Sequence, residues 1–374
     1  AESLNGLSQL FAQVWTKGNT NKSEEQLLKE LELRGASAGA FAGRNSVGIS
    51  AKALAEDMPF ILNIVADIIQ KPLLAQEAID EEKKKMFVDI DEQQDDIRET
   101  TFKKMMQVLF KTHPLRLDVK GAKESIARIT RADILKYYNA YVKPNNMIIT
   151  IAGDFNKDDV VALLKQRFNN LPKAAVALQE FKEDAPGEMQ YAKLSMPKEQ
   201  AVLALAFQAP SLKGKDRWAF EYISSILGSG LGGRLFVKVR DQLGKAYTVG
   251  ARYNPMLDKG TFTLFVLTTN DKVDSVKEIF LHELNDLELN LVSEDEFSKA
   301  RQYLKGSFNM GLDTPADIAY MVSFDELYGL GFDFHKQHDS NVNSVSREDI
   351  RQAVKKYLNS NQAAMVITQG EPGK

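Results

Sequence analysis

Thr130-Arg131-Ala132-Asp133-Ile134, with Tyr141 and Asn145 following, recurs in the same order as Ser346-Arg347-Glu348-Asp349-Ile350, with Tyr357 and Asn361. Each copy opens on a hydroxyl residue three positions before an aspartate, the signature of a capped helix start. Each then runs into an apolar stretch, Met147 to Ala152 in the first copy and Ala364 to Thr368 in the second. A helix followed by a strand, present twice, predicts a duplicated α+β domain.

The rest of the chain is read outward from that repeat. Its 374 residues exceed a usual single core, so two domains are expected, 1–173 and 174–374. The boundary is set where Pro172 and later Asp184-Ala185-Pro186-Gly187 interrupt the helical pattern. Leu54, Met58, Ile61, Leu62, Val65, Ile68 and Ile69 form an apolar stripe that predicts a long helix lying on a sheet. In the second half, 202–207 and 261–267 read as strands and 274–291 as an amphipathic helix. The neighbouring stretches 247–253 and 260–268 favour antiparallel pairing. The expected fold class is therefore α+β, two repeated α/β-sandwich domains each with a mainly antiparallel sheet covered by helices, rather than a doubly wound parallel sheet.

Composition excludes several functions. Apolar and charged contents of 44% and 26% are ordinary, and a net charge of -3 provides no broad field for nucleic acid or an anionic membrane. The chain has no cysteine, which rules out disulfides, thiolate metal sites and thiol nucleophiles. No apolar run approaches the roughly 18 to 20 residues that span a bilayer. Ala1-Glu2-Ser3 has neither the basic start nor the apolar segment of a signal peptide, which is compatible with a signal removed before it. Absence of cysteine suits cytoplasm or periplasm, and the bacterial periplasm is the expectation.

An ordered set of short motifs resembles the pitrilysin/insulinase family of zinc peptidases, the inverted zincins, along nearly the whole chain. They are Gly6-Leu7-Ser8, Lys17-Gly18, Ser23-Glu24-Glu25, Gln70-Lys71-Pro72-Leu73, His113-Pro114-Leu115, Tyr141 to Met147, Gly153-Asp154, Gly233-Arg234-Leu235-Phe236, and Arg240 with Gly244, Ala246 and Tyr247. The resemblance implies two such domains forming half of a clamshell. It also implies several strands before the metal helix, so a chain opening almost at that helix is expected to lack them in domain 1.

In that family a His-x-x-Glu-His helix and a distant Glu hold zinc. Carried over, the histidine positions fall on Gln9 and Gln13, the general-base glutamate on Ala12 and the distant ligand on Asp89, so all four depart from the pattern. Glu82, two turns before Asp89, fits a further family carboxylate. Neutral amides are poor zinc ligands, and a methyl group cannot take a proton from zinc-bound water. By contrast Arg240 and Tyr247 match the family residues that reach the substrate and its developing oxyanion, a role suited to a guanidinium and a phenol. The plainer alternative is a surface arginine and a half-buried tyrosine. Gly39-Ala40-Phe41-Ala42 aligns with the edge strand onto which peptides add, although Gly39 stands where the family usually has Asn.

Other features are weaker. His335 and His338 read as a solvated loop, His113 as structural and His282 as an ordinary helix residue. The run Asp80 to Lys85 reads as a solvent face, and Gly228 to Gly233 lacks the ending of a nucleotide loop. The resemblance implies a non-catalytic subunit of a zinc metallopeptidase that binds no cofactor itself. Its partner would be a homologous subunit with an intact motif and the zinc, and Arg240 and Tyr247 would serve a shared peptide-cleaving site. The alternative is a peptide-binding or scaffold protein with no part in hydrolysis. No nucleic acid and no membrane span are expected.

Overall fold

A computed structural model describes residues 2–169, 171–177, 179–244 and 248–371, and for Leu231 and Arg240 to Leu243 the backbone alone. The elements are, in order, α1 (Leu7–Trp15), α2 (Glu24–Glu32), β1 (Ser37–Ala42), β2 (Val47–Lys52), α3 (Met58–Gln70), α4 (Gln76–Asp95), α5 (Ile97–Leu109), α6 (Lys123–Arg128), α7 (Arg131–Tyr141) and α8 (Lys157–Phe168). There follow β3 (Gln190–Met196), β4 (Ala201–Ala209), α9 (Arg217–Gly228), α10 (Arg234–Leu243), β5 (Thr248–Asn254), β6 (Gly260–Thr268), α11 (Val273–Leu289), α12 (Glu294–Met310), α13 (Pro315–Leu327), α14 (His338–Asn343), α15 (Arg347–Tyr357) and β7 (Ala363–Gly370).

The chain forms two compact units that are interleaved in sequence. One comprises Ala1–Glu92, Leu117–Gln179 and Thr314–Leu327; the other comprises Gln93–Arg116, Glu180–Asp313 and Tyr328–Lys374. The division at Lys173 is one of the sequence repeat, whereas these units follow packing.

In the first unit α1 buries Leu10, Phe11, Val14 and Trp15, and the Trp15 indole donates to the Ile68 carbonyl of α3 at 3.1 Å. The expected long stripe is shortened here. Pro59 lies in the first turn of α3, where its missing N–H costs nothing, and Leu54 lies ahead of the helix, 60% exposed. Ile61, Leu62, Ile64, Ile68 and Ile69 form the buried face instead.

Both copies of the repeat have the predicted cap. The Thr130 hydroxyl accepts from the Asp133 N–H while the Asp133 carboxylate accepts from the Thr130 N–H, and Ser346 and Asp349 repeat the arrangement. The strands that follow do not match. The second copy becomes β7, inside a five-stranded sheet, but 147–152 forms no ladder and leaves Ile148 and Ile149 exposed. Strand formation needs a paired neighbour, and the hairpin β1–β2, the sole sheet of that unit among the described residues, does not pair with this stretch.

The second unit is built on the order β3-β7-β4-β6-β5, with β3 and β7 parallel and every other pair antiparallel. Every residue of β4 is buried because both faces are covered. Leu203, Leu205 and Phe207 share a core with α9, α11 and α15, while Ala204 and Ala206 meet Met105 and Leu109 of α5 on the other face. Where α5 crosses the sheet, the Thr101 and Thr368 hydroxyls are 2.6 Å apart, and Thr101 also donates to the Ile97 carbonyl.

Candidate functional site

Helix α1 carries Gln9, Ala12 and Gln13, the positions onto which the resemblance carries the zinc motif. Its N-cap is Gly6 at φ 92, and a Cβ there would lie 2.9 Å from the Lys120 carbonyl oxygen, so only glycine lets the helix start against this loop. Gln9, Ala12 and Gln13 lie on this helix; Ala12 is 1% exposed, Gln9 and Gln13 are half-buried, and Gln13 Oε1 is buried without a hydrogen-bond partner.

On α4, Asp89 faces solvent, whereas Glu82 is buried. Lys17 Nζ lies 3.4 Å from Glu82 and 2.5 Å from Glu24, and Lys85 Nζ lies 2.6 Å from Glu82. Burial opposes the charge on Lys17, but the two carboxylates outweigh it and its pKa is raised. The donor set is poorly matched to zinc: two amides, a methyl, an exposed aspartate and a carboxylate already held by two ammonium groups. Among the described residues no group of three or more His, Asp or Glu is arranged to hold a metal ion. The run Asp80 to Lys85 is thus only partly a solvent face, since Lys83 also donates to the Ile129 carbonyl at 2.5 Å.

Strand β1 packs on α1 and pairs with β2, Gly39 opposite Ser50, Ala40 opposite Ile49, Phe41 opposite Gly48 and Ala42 opposite Val47. Among the described residues no strand pairs with its other edge. The Phe41 ring covers Gly48, where a Cβ would come within 2.6 Å of it, and its centroid is 6.1 Å from that of Phe324 on α13. Gly39 opens on free space, so the position offers main chain with no obstructing side chain.

Arg240 lies in α10, its side chain outside the described residues, and Tyr247 lies wholly outside them. The flanks of this corner are defined. After a 3-10 turn at Gly230–Gly232, α10 begins at Arg234. Gly244 follows the helix at φ 63, the left-handed conformation of a helix end, and β5 starts at Thr248. The glycine run before α10 serves packing: a Cβ on Gly228 would lie 2.4 Å from the Ala251 nitrogen of β5.

Sequence reading missed the ion cluster that holds α10. Arg234 Nε and Nη2 donate to the two oxygens of Glu296 at 2.6 and 3.1 Å, and Nη1 donates to Asp286 at 2.6 Å and Glu283 at 3.4 Å. Lys238 also pairs with Glu283, which is fully buried. The hydrogen bonds from Arg234 hold the Glu296 carboxyl below its usual range; at Asp286 burial acts in the opposite direction but Asn290 and Arg234 outweigh it. The signal was legible: two cations at i, i+4 on one helix and two acids at i, i+3 on another.

The histidine pair also needs correction. His338 begins α14 rather than sitting in a solvated loop; its ring stacks on Phe308 with centroids 3.7 Å apart and meets Trp218 edge-on at 5.3 Å. Burial lowers its pKa, which favours a neutral packed ring. His113 is buried, its Nδ1 accepts from the Leu115 N–H at 3.1 Å, and burial lowers its pKa as well.

Comparison with known proteins bears on helix α1 and the units around it. Residues 1–123 match the model described as insulinase (peptidase family M16), and residues 128–304 match the model described as peptidase M16 inactive domain. The chain belongs to the M16, or insulinase, family of peptidases. The "uncharacterized zinc protease" of Rickettsia felis is 26% identical over 314 residues, which span 83% of this chain and 75% of that protein. Bacillus subtilis YmxG, likewise described as an uncharacterized zinc protease, is 22% identical over 313 residues, again 83% and 75%. The fold is that of a Helicobacter pylori protease (TM-score 0.92, 17% identity, 99% of this chain and 91% of that one). It is also that of a peptidase M16 inactive domain from Pseudomonas fluorescens (TM-score 0.85, 21% identity, 99% and 92%).

Proposed function

We propose that this chain is the non-catalytic subunit of a two-chain zinc peptidase. The observation that carries the reading is Ala12, a buried methyl where family hydrolysis needs a carboxylate, flanked by amides at Gln9 and Gln13. A chain with this helix does not bind zinc or activate water in the family manner, so the zinc and the base belong to a homologous partner subunit with the intact motif. Arg240 and Tyr247 keep the donor chemistry that a shared site requires, and the peptide substrate adds along Gly39 to Ala42 of β1. The bacterial periplasm is the compartment we infer.

Purification of the native protein under mild conditions, with mass spectrometry of what accompanies it, tests the reading. A near-stoichiometric relative bearing His-x-x-Glu-His is expected. In that complex Arg240→Ala or Tyr247→Phe should lower peptide hydrolysis about 10²-fold, the scale of a lost oxyanion donor. An unchanged rate would remove the role of those two residues. The open edge of β1 also favours a second reading, a peptide-binding or scaffold protein, which isolation without a peptidase relative would support.

A further inference from the structure

The helix that carries Arg240 has a glycine in left-handed conformation on each side, Gly230 at φ 57 before it and Gly244 at φ 63 after it. Gly233 seats the start of the helix against the end of α9, where a Cβ would lie 2.9 Å from the Leu227 carbonyl oxygen, but Gly244 opens on free space, and a 10-residue helix is too short to be stable without tertiary contacts. Leu235 and Val239 bury one stripe of α10 in the core, but apolar contact is non-directional and tolerates a small slide or roll. The fork from Arg234 to Glu296 is directional: two parallel N–H donors meet two carboxylate oxygens, and a third donor reaches Asp286. The fork ties the first turn of α10 to α11 and α12, and Lys238 repeats the attachment one turn later on the buried Glu283.

We propose that Arg234 is a positioning residue, the clamp that fixes α10 and thereby the place of Arg240 on it. The proposal rests on the shared-site reading, and it adds a residue that touches no substrate. Lysine at 234 would keep the charge and lose the fork, so Arg234→Lys separates geometry from charge.

Two measurements test it. In the purified chain, hydrogen exchange across 240–250 should rise about tenfold in Arg234→Lys while β4 and β7 keep their protection. In the purified complex Arg234→Lys should lower kcat about tenfold with little change in KM, since small misplacements of a reacting group cost this much. The double variant Arg234→Lys with Arg240→Ala should be no slower than Arg240→Ala alone, because a clamp acting through Arg240 has nothing left to position. Multiplying losses, or unchanged exchange at the corner, would overturn the clamp while leaving the shared site standing. An inert Arg240→Ala would overturn the shared site and the clamp with it. If Arg234→Lys fails to fold, Glu296→Gln weakens the same fork from the other side and carries the same expectations.

Discussion

Ala12 lies within a closed packing arrangement as well as lacking a functional group. Its methyl is 1% exposed, and the neighbouring Gln13 Oε1 is buried with no hydrogen-bond partner among the described residues. Introducing a carboxylate there without metal buries an unpaired charge, so Ala12→Glu should destabilise the protein by about 3 kcal/mol or more in urea unfolding. A neutral result would mean that water reaches this point. The hydroxyl pair Thr101 and Thr368 gives a second case. Thr101→Val strands the Thr368 hydroxyl in the core and should cost about 1 to 3 kcal/mol, whereas the double change to valine should recover most of that loss. Calorimetry on the three variants measures the difference.

At the level of elements, the caps, the hairpin β5–β6 and the apolar strand β4 were all legible in the sequence because each depends on local chemistry or periodicity. The stretch 147–152 differs from its expected strand because pairing is non-local: its pattern matches that of β7, but among the described residues no sheet edge receives it. Proline should report this contrast. Ile149→Pro is expected to cost under about 1 kcal/mol, and Val366→Pro in the interior strand β7 to cost about 3 or more, by urea titration. At the candidate site, substituted ligands could be read from residue types alone. The exposure of Asp89 and the two lysines on Glu82 depend on which helices meet, and so emerged only from the fold. The α10 clamp also has an acid limit. Because Glu296 and Asp286 have depressed folded pKa values, their contribution is fully present above the ordinary carboxylate range near 4 and is lost as pH falls through the lower folded values. Melting temperature should therefore drop steeply on that acid side, and Arg234→Met should flatten the drop.

In the whole molecule, sequence halves and compact units do not coincide. Residues 93–116 belong by packing with 180–313 and 328–374, and 314–327 with 1–92 and 117–179. A cut at Lys173 therefore removes α5 from the sheet it covers, and the fragment 174–374 expressed alone is expected to expose that face and bind a hydrophobic dye. The same connectivity governs folding during synthesis. Helix α5 leaves the ribosome before any strand of its sheet, and β7, which lies between β3 and β4, is made after every other strand of that sheet. The apolar face of α5, with Met105 and Leu109, and Phe110 just past its end, must wait for its partner until those strands are made. A ribosome stalled before Ala363 thus holds a sheet in which β3 and β4 are not yet joined, a point at which a chaperone would have a long opportunity to bind.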